Sequence, residues 1–269
     1  MRFFIVFLLS LFVVQTASAR LLKNKSLEGI YLQWGYNREW FTRSTIHFQK
    51  EGEYDFRLVN AVAHDKPDFG SIISSPLDIS IPQYNYRIGF YLNPQHTHAF
   101  ELSFDHAKYV VTDYQKYHIE GFIDGQYMNK DTVVDPAFLH FEHTDGANFV
   151  HFNYVGIQPL YETPKKRTIL AAIVKLGAGF VIPRTDVTYK GARLNNKFHI
   201  AGYVASAELG ARVYPLRNLF LEATVKGGYA NYINSLASEG GKANHHFGYV
   251  ECIGLIGYDI ALGKHRSSK

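Results

Sequence analysis

The chain has 269 residues, 46% apolar and 15% aromatic, with 19 Tyr, 20 Phe and a formal net charge of +4. Its basic residues are scattered rather than clustered, which gives nucleic-acid binding no support. One cysteine, Cys252, rules out an intramolecular disulfide framework, and the length suits one large β domain.

Residues 1–19 begin with Arg2, run apolar from Phe3 to Val14 and close on Ala17-Ser18-Ala19. A charged start, a short apolar stretch and a small-x-small end predict a cleaved secretory signal peptide, leaving 20–269 as a single domain. Beyond it, the most apolar run, Thr168 to Ile182, is broken by Lys175, Gly177 and Gly179, so no transmembrane helix is expected.

From Gly29 onward the pattern has a period of two. In Tyr84 to Leu92, Tyr84, Tyr86, Ile88, Phe90 and Leu92 share one face, with Asn85, Arg87 and Gly89 on the other. The chain is read as strands near 29–37, 44–49, 54–62, 83–92, 98–111, 149–160, 169–182, 198–214, 219–232 and 247–262. An apolar face opposite isolated charges, repeated along the chain, predicts an all-β fold, an antiparallel transmembrane β-barrel. Ten strands are expected, with eight or twelve as alternatives. The stretch 116–123 also reads as a strand within a long loop.

Turn chemistry places short turns at 50–53, 93–97, 163–167 and 215–218 on the side of the termini, and long outer loops at 63–82, 112–148, 183–197 and 233–246. This register points Gln33, Arg87, Glu101, Ser103, Asp105, Lys175, Glu208, Arg212, Glu222, Lys226 and Glu251 into the lumen. Their charges are nearly balanced, which predicts a plugged polar lumen rather than a conducting pore. Trp34 and Trp40 fit a membrane interface.

Chemistry is expected at the outer rim. His140, Glu142, His143, Asp145 and Asn148 precede one strand, Asp105-His106 ends another, His64-Asp65 a third, and His245-His246 opens the last. A His held by a carboxylate can serve as a general base, and such a cluster can also hold a divalent metal. The catalytic candidates are His143, Asp145, Glu142, His106 and Asp105. The same residue types also tie turns through side-chain to backbone hydrogen bonds. No cofactor is expected. Tyr109, Tyr114, Tyr117, Phe122, Tyr127 and Phe138 offer outer-loop contacts for a lipid, glycan or protein ligand, or pack the loop on itself.

The segments His64-Asp65, Ile81 to Arg87, Asp105 to Tyr109 and Phe138 to Gly146 resemble those of outer-membrane barrels of the Bacteroidota type. That resemblance implies a bacterial outer-membrane location, reached by the signal peptide and surrounded by outer-membrane lipid, and no activity. A weaker one is to outer-membrane lipid A deacylases, which carry a rim His, a Ser two residues later and then an Asn. His143 matches the His, but Asp145 and Gly146 follow it, so the Ser nucleophile is missing from its place. The strand count and the Asp and His pairs are similar to those of omptin proteases, whose rim carboxylates and His activate water; no longer omptin motif is present. The sequence therefore supports a structural or surface-binding role, with a rim hydrolase acting on lipid A or peptide as the alternative.

Overall fold

The computed structural model describes residues 28–67 and 83–261, with 70 and 74 between them. Residues 1–19, read from the sequence as a signal peptide, and most of the 63–82 loop lie outside these residues.

Two strands show how the sequence builds the wall. In β1 (Gly29–Phe41) Tyr31, Gln33, Asn37 and Glu39 are buried while Leu32 and Trp40 are exposed. The ring continues through β5 (Tyr84–Tyr91), β6 (His98–Asp105), β11 (Phe149–Glu162), β12 (Thr168–Val181), β15 (Gly202–Val213), β16 (Leu219–Leu236) and β17 (Lys242–Ala261), each antiparallel to the next. Along β16, Phe220, Glu222, Thr224 and Lys226 are buried while Leu221 and Val225 face outward. Pairing of β17 with β1, from Gly29↔Ala261 to Phe41↔Tyr249, closes the ring at eight strands.

The outward face carries Leu102, Phe152, Val174, Leu176, Leu209, Leu221, Val225 and Ile256, all exposed and apolar. Such a belt around a closed barrel has one compatible solvent, the hydrocarbon core of a bilayer. The chain is a transmembrane β-barrel.

Both ends of the ring sequence lie at one rim, with the short turns after β5, β11 and β15. Asn93 ties the first of these: its Oδ1 accepts from the backbone N–H groups of Thr97 (3.0 Å) and His98 (3.2 Å). At the other rim the long connections fold. Strands β2 (Ser44–Lys50) and β3 (Tyr54–Ala61) form a hairpin whose first strand pairs with the outer end of β17, from Lys242↔Gln49 to Asn244↔His47. β8 (Lys116–Ile123) and β9 (Gln126–Val133) extend the same sheet. Two of the ten strands read from the sequence, 44–49 and 54–62, therefore stand outside the ring, and the 50–53 turn lies at the outer end.

A second, five-stranded sheet faces this extension, in the order β14 (Ala192–Asn195), β13 (Asp186–Tyr189), β10 (Leu139–His143), β7 (Tyr109–Val111) and β4 (Ala63–His64). Phe48 packs edge-on against Phe141 at 5.3 Å and Tyr54 against Tyr189 at 4.7 Å, so the two sheets share a core. That core continues into the barrel mouth through Phe149, Tyr232, Phe247 and Tyr249. The outer loops thus form a capping β-sandwich seated on the ring, consistent with face-to-face packing of two half-buried sheets.

Candidate functional site

The lumen is built by alternation alone. Gly89 stands directly opposite Tyr31 in the β1–β5 pair, and a Cβ on it would lie 1.9 Å from the Tyr31 ring. The missing side chain lets that ring lie across the sheet, and its hydroxyl donates to Glu101 Oε2 at 2.7 Å. Around this point the inward charges form a connected lattice. Arg87 donates to Glu208 at 2.7 Å and lies 3.4 Å from Glu101 and 3.7 Å from Asp105. Lys175 bridges Glu222 (2.8 Å) and Glu101 (3.0 Å). Arg212 binds Glu222 at 2.7 Å and lies 4.0 Å over the Phe220 ring, while Lys226 joins Asp105 to Glu251. The eleven inward residues read from the sequence are all buried. Asn37, Glu39, Asn85, His151 and Asn153 share that buried face and belong with them. The parity of Gln33 along β1 is the signal that finds Asn37 and Glu39, and Asn85 shares the face already read for Arg87.

The rim candidates separate into different surroundings. Asp105 ends β6 pointing inward, into the lattice, with His151 Nδ1 at 3.5 Å. His106, the next residue, stacks on Tyr84 at 4.7 Å, and its Nδ1 is 2.8 Å from Asn148 Oδ1. Burial holds its pKa below the usual imidazole range. Asp145 binds Asn195 (2.9 Å) and Arg184 (3.3 Å) at the surface of the cap. His64 meets Thr112 at 3.1 Å, and Asp65 accepts from Arg38 at 2.9 Å.

Two pairs do form. His143 and His245 bring their Nε2 atoms to 3.3 Å in the aromatic layer between cap and lumen, with Tyr232 stacked 5.0 Å from His143. Burial drives the His143 pKa well below its ordinary value, so it is neutral, and one ring of the pair donates its N–H to the other. Among the described residues its Nδ1 has no hydrogen-bond partner. The second pair is local: His140 Nε2 lies 3.3 Å from Glu142 Oε2, and His140 Nδ1 2.8 Å from Asp113. The hydrogen bond with Glu142 raises His140 to about 9 despite its partial burial. Burial pushes Glu142 upward, but hydrogen bonds with His140 and Thr144 outweigh it and bring the carboxyl down to about 2.

These two shifts set a pH window. Glu142 contributes stability above its unfolded value, lost as pH falls toward 2; His140 contributes below its unfolded value, lost as pH rises through 9. Amide-exchange protection of β10 is therefore expected to be flat between about pH 4.5 and 6.5 and to fall on both sides. A His140→Ala variant should lose the alkaline limb, and an unchanged limb would mean that the pair does not hold the strand.

Among the described residues no three His, Cys, Asp or Glu side chains converge as a metal-holding group. A surface groove of about 710 Å³ opens beside the outer hairpin tips, lined by Lys50, Tyr54, Asp55, Phe122 and Lys242. An apolar groove of about 610 Å³ runs along the bilayer-facing wall beside Trp34, Tyr86, Leu102 and Ile256. Neither is lined by His106, Glu142, His143 or Asp145.

No protein-family model and no curated protein sequence matches this chain. Among solved structures it is similar to the Neisserial surface protein A, at 8% identity and TM-score 0.39, over 87% of this chain and 99% of that one. It is also similar to Ail, the attachment invasion locus protein of Yersinia pestis (12%, TM-score 0.33, 87% and 100%). The outer membrane protease OmpT of Escherichia coli is a third (10%, TM-score 0.35, 88% and 99%). At such low similarity the fold rests on the strand pairing of this chain itself.

Proposed function

We propose that this is a bacterial outer-membrane protein whose lumen is closed by its own charged filling and which acts at the outer surface, in a structural or ligand-binding role, through the cap. The observation that carries this reading is the capping sandwich: the outer connections share one hydrophobic core with the barrel mouth, from Phe48 and Phe141 down to Tyr249. A barrel that devotes its outer loops to a packed, shaped surface over a cross-linked lumen is built to present that surface, not to pass solutes. The ligand class that fits is a lipid, glycan or protein held at the outer groove, where Lys50 and Lys242 flank Tyr54 and Phe122.

The surroundings of His106, Glu142, His143, Asp145 and Asp105 support structural roles in turns, cap and lattice. A rim hydrolase would need an acid, a base and substrate space in mutual reach. The experiment is single-channel recording of the refolded barrel in planar bilayers. The expected trace has no steps of the size an open porin gives, and stepwise porin-like conductance would overturn the closed-lumen reading.

A further inference from the structure

On the ring strands six carboxylates are buried, Glu39, Glu101, Asp105, Glu208, Glu222 and Glu251, against four cations, Arg87, Lys175, Arg212 and Lys226. Five of the acids lie within ion-pair distance of a lysine or arginine. Glu39 is the exception: among the described residues neither of its carboxylate oxygens has a hydrogen-bond partner, although its side chain lies on a residue only 1% exposed. On this face the acids outnumber the lysines and arginines by two, and the carboxylate without a cation sits at one place.

That place has a defined surround. Glu39 stands directly opposite Glu251 in the β1–β17 pair, and of these two facing acids only Glu251 has a cation beside it, Lys226 at 3.2 Å. Asn37, two residues earlier on the same face, donates its Nδ2 to Glu251 Oε1 at 2.8 Å. Its Oδ1, in a residue 4% exposed, has no partner. Beside it is Gln83, whose backbone carbonyl accepts from the Asn37 N–H at 3.2 Å and whose buried amide has neither polar atom bonded. Carboxylate and amide oxygens without donors are the kind of ligand that a hard cation takes. Among the described residues no third His, Cys, Asp or Glu converges here, so amide oxygens complete the shell, which selects against metals that prefer nitrogen or sulfur.

We propose that the upper lumen binds one hard divalent cation between Glu39 and Glu251, with the side-chain oxygens of Asn37 and Gln83 completing an all-oxygen site. The ion offsets the excess of acids and ties β1 to β17 at the seam where the ring closes. The site goes beyond the closed-lumen reading and does not depend on it, since conductance and ion uptake are measured separately.

The test uses the full barrel refolded in lipopolysaccharide-free zwitterionic detergent and stripped with a chelator, titrated calorimetrically with calcium and, separately, magnesium. The expected result is uptake of one ion per barrel and a rise in melting temperature on the order of 5 °C at saturation. Glu39→Gln should abolish the uptake and, in chelator, melt above the wild type, because the uncompensated buried charge is gone. Asn37→Ala, which keeps every charge, should weaken uptake by about an order of magnitude and keeps the test decisive if the first variant does not fold. Failure of the wild type to take up either ion, or undiminished uptake by Glu39→Gln or Asn37→Ala, would overturn the proposal.

Discussion

Arg87→Met is expected to unfold with about 3–5 kcal/mol less free energy than the wild type, measured by urea titration of the refolded barrel with tryptophan fluorescence as readout. The guanidinium is fully buried, and Glu208, Glu101 and Asp105 all lie within 3.7 Å of it. Methionine fills similar space but leaves those carboxylates with less positive charge than they need. The loss falls toward the low end of the range because Lys175 and Lys226 remain near Glu208, at 3.5 and 3.7 Å. Adding Glu208→Gln to the same chain should recover part of it, since the carboxylate left short of charge is removed. A single variant within 1 kcal/mol of wild type would show that the lattice is not a coupled network. The effect should also survive high salt, because buried pairs are screened far less than exposed ones.

Alternation made the wall and the lumen legible, because in a barrel every second residue has no choice of environment. What it could not separate is a strand that crosses the bilayer from one that extends the same sheet above it. Residues 44–49 and 54–62 alternate as cleanly as the ring strands, with Ile46, Phe48, Tyr54, Phe56 and Leu58 buried. The distinguishing residues are the outward ones. Where β16 turns Leu221 and Val225 outward, β3 turns out Asp55 and Arg57, which lipid would not accept and water does. Reading the outward face for charge, rather than the inward face for hydrophobicity, removes 54–62 from the ring and, with it, its hairpin partner 44–49, whose outward Thr45, His47 and Gln49 are polar, which moves the 50–53 turn to the outer end. The 116–123 stretch is β8 to the residue, since its alternation stands isolated inside a loop.

The rim candidates were legible only where the partner was close in sequence. His140 and Glu142 meet because residues two apart in a strand share a face. His143 and His245 meet across 102 positions, through the packing of a cap strand on the last ring strand. No local pattern carries that information. Asp105 and His106, adjacent in sequence and read together as an acid and imidazole pair, point to opposite sides of their strand end, one into the lattice and one onto Tyr84. Adjacency in a strand separates side chains; only adjacency in a turn joins them.

The second large effect is expected at Phe141, the ring on which the cap closes. It is 1% exposed and packs on Phe48 from the opposite sheet at 5.3 Å, on His143 at 4.9 Å and on His245 at 5.7 Å. Phe141→Ala should cost about 3–5 kcal/mol, as removal of a buried aromatic ring does when its surroundings cannot collapse. The loss should fall unevenly. A separate cluster of Tyr31, Tyr91, Val155, Ile173 and Phe220 holds the lower barrel, and none of its members belongs to the cap core. Trypsin should therefore cut the variant's outer strands at Lys50, Arg57, Lys116 and Lys130, while the ring stays folded and keeps its heat-modifiable migration in detergent gels. A Phe141→Ala variant as resistant to trypsin as the wild type would mean that the sheets are held by their strand pairing rather than by this contact. Collapse of the whole barrel would mean that cap and ring fold as one unit, which the core they share through Phe149, Tyr232 and Tyr249 makes the physically meaningful alternative.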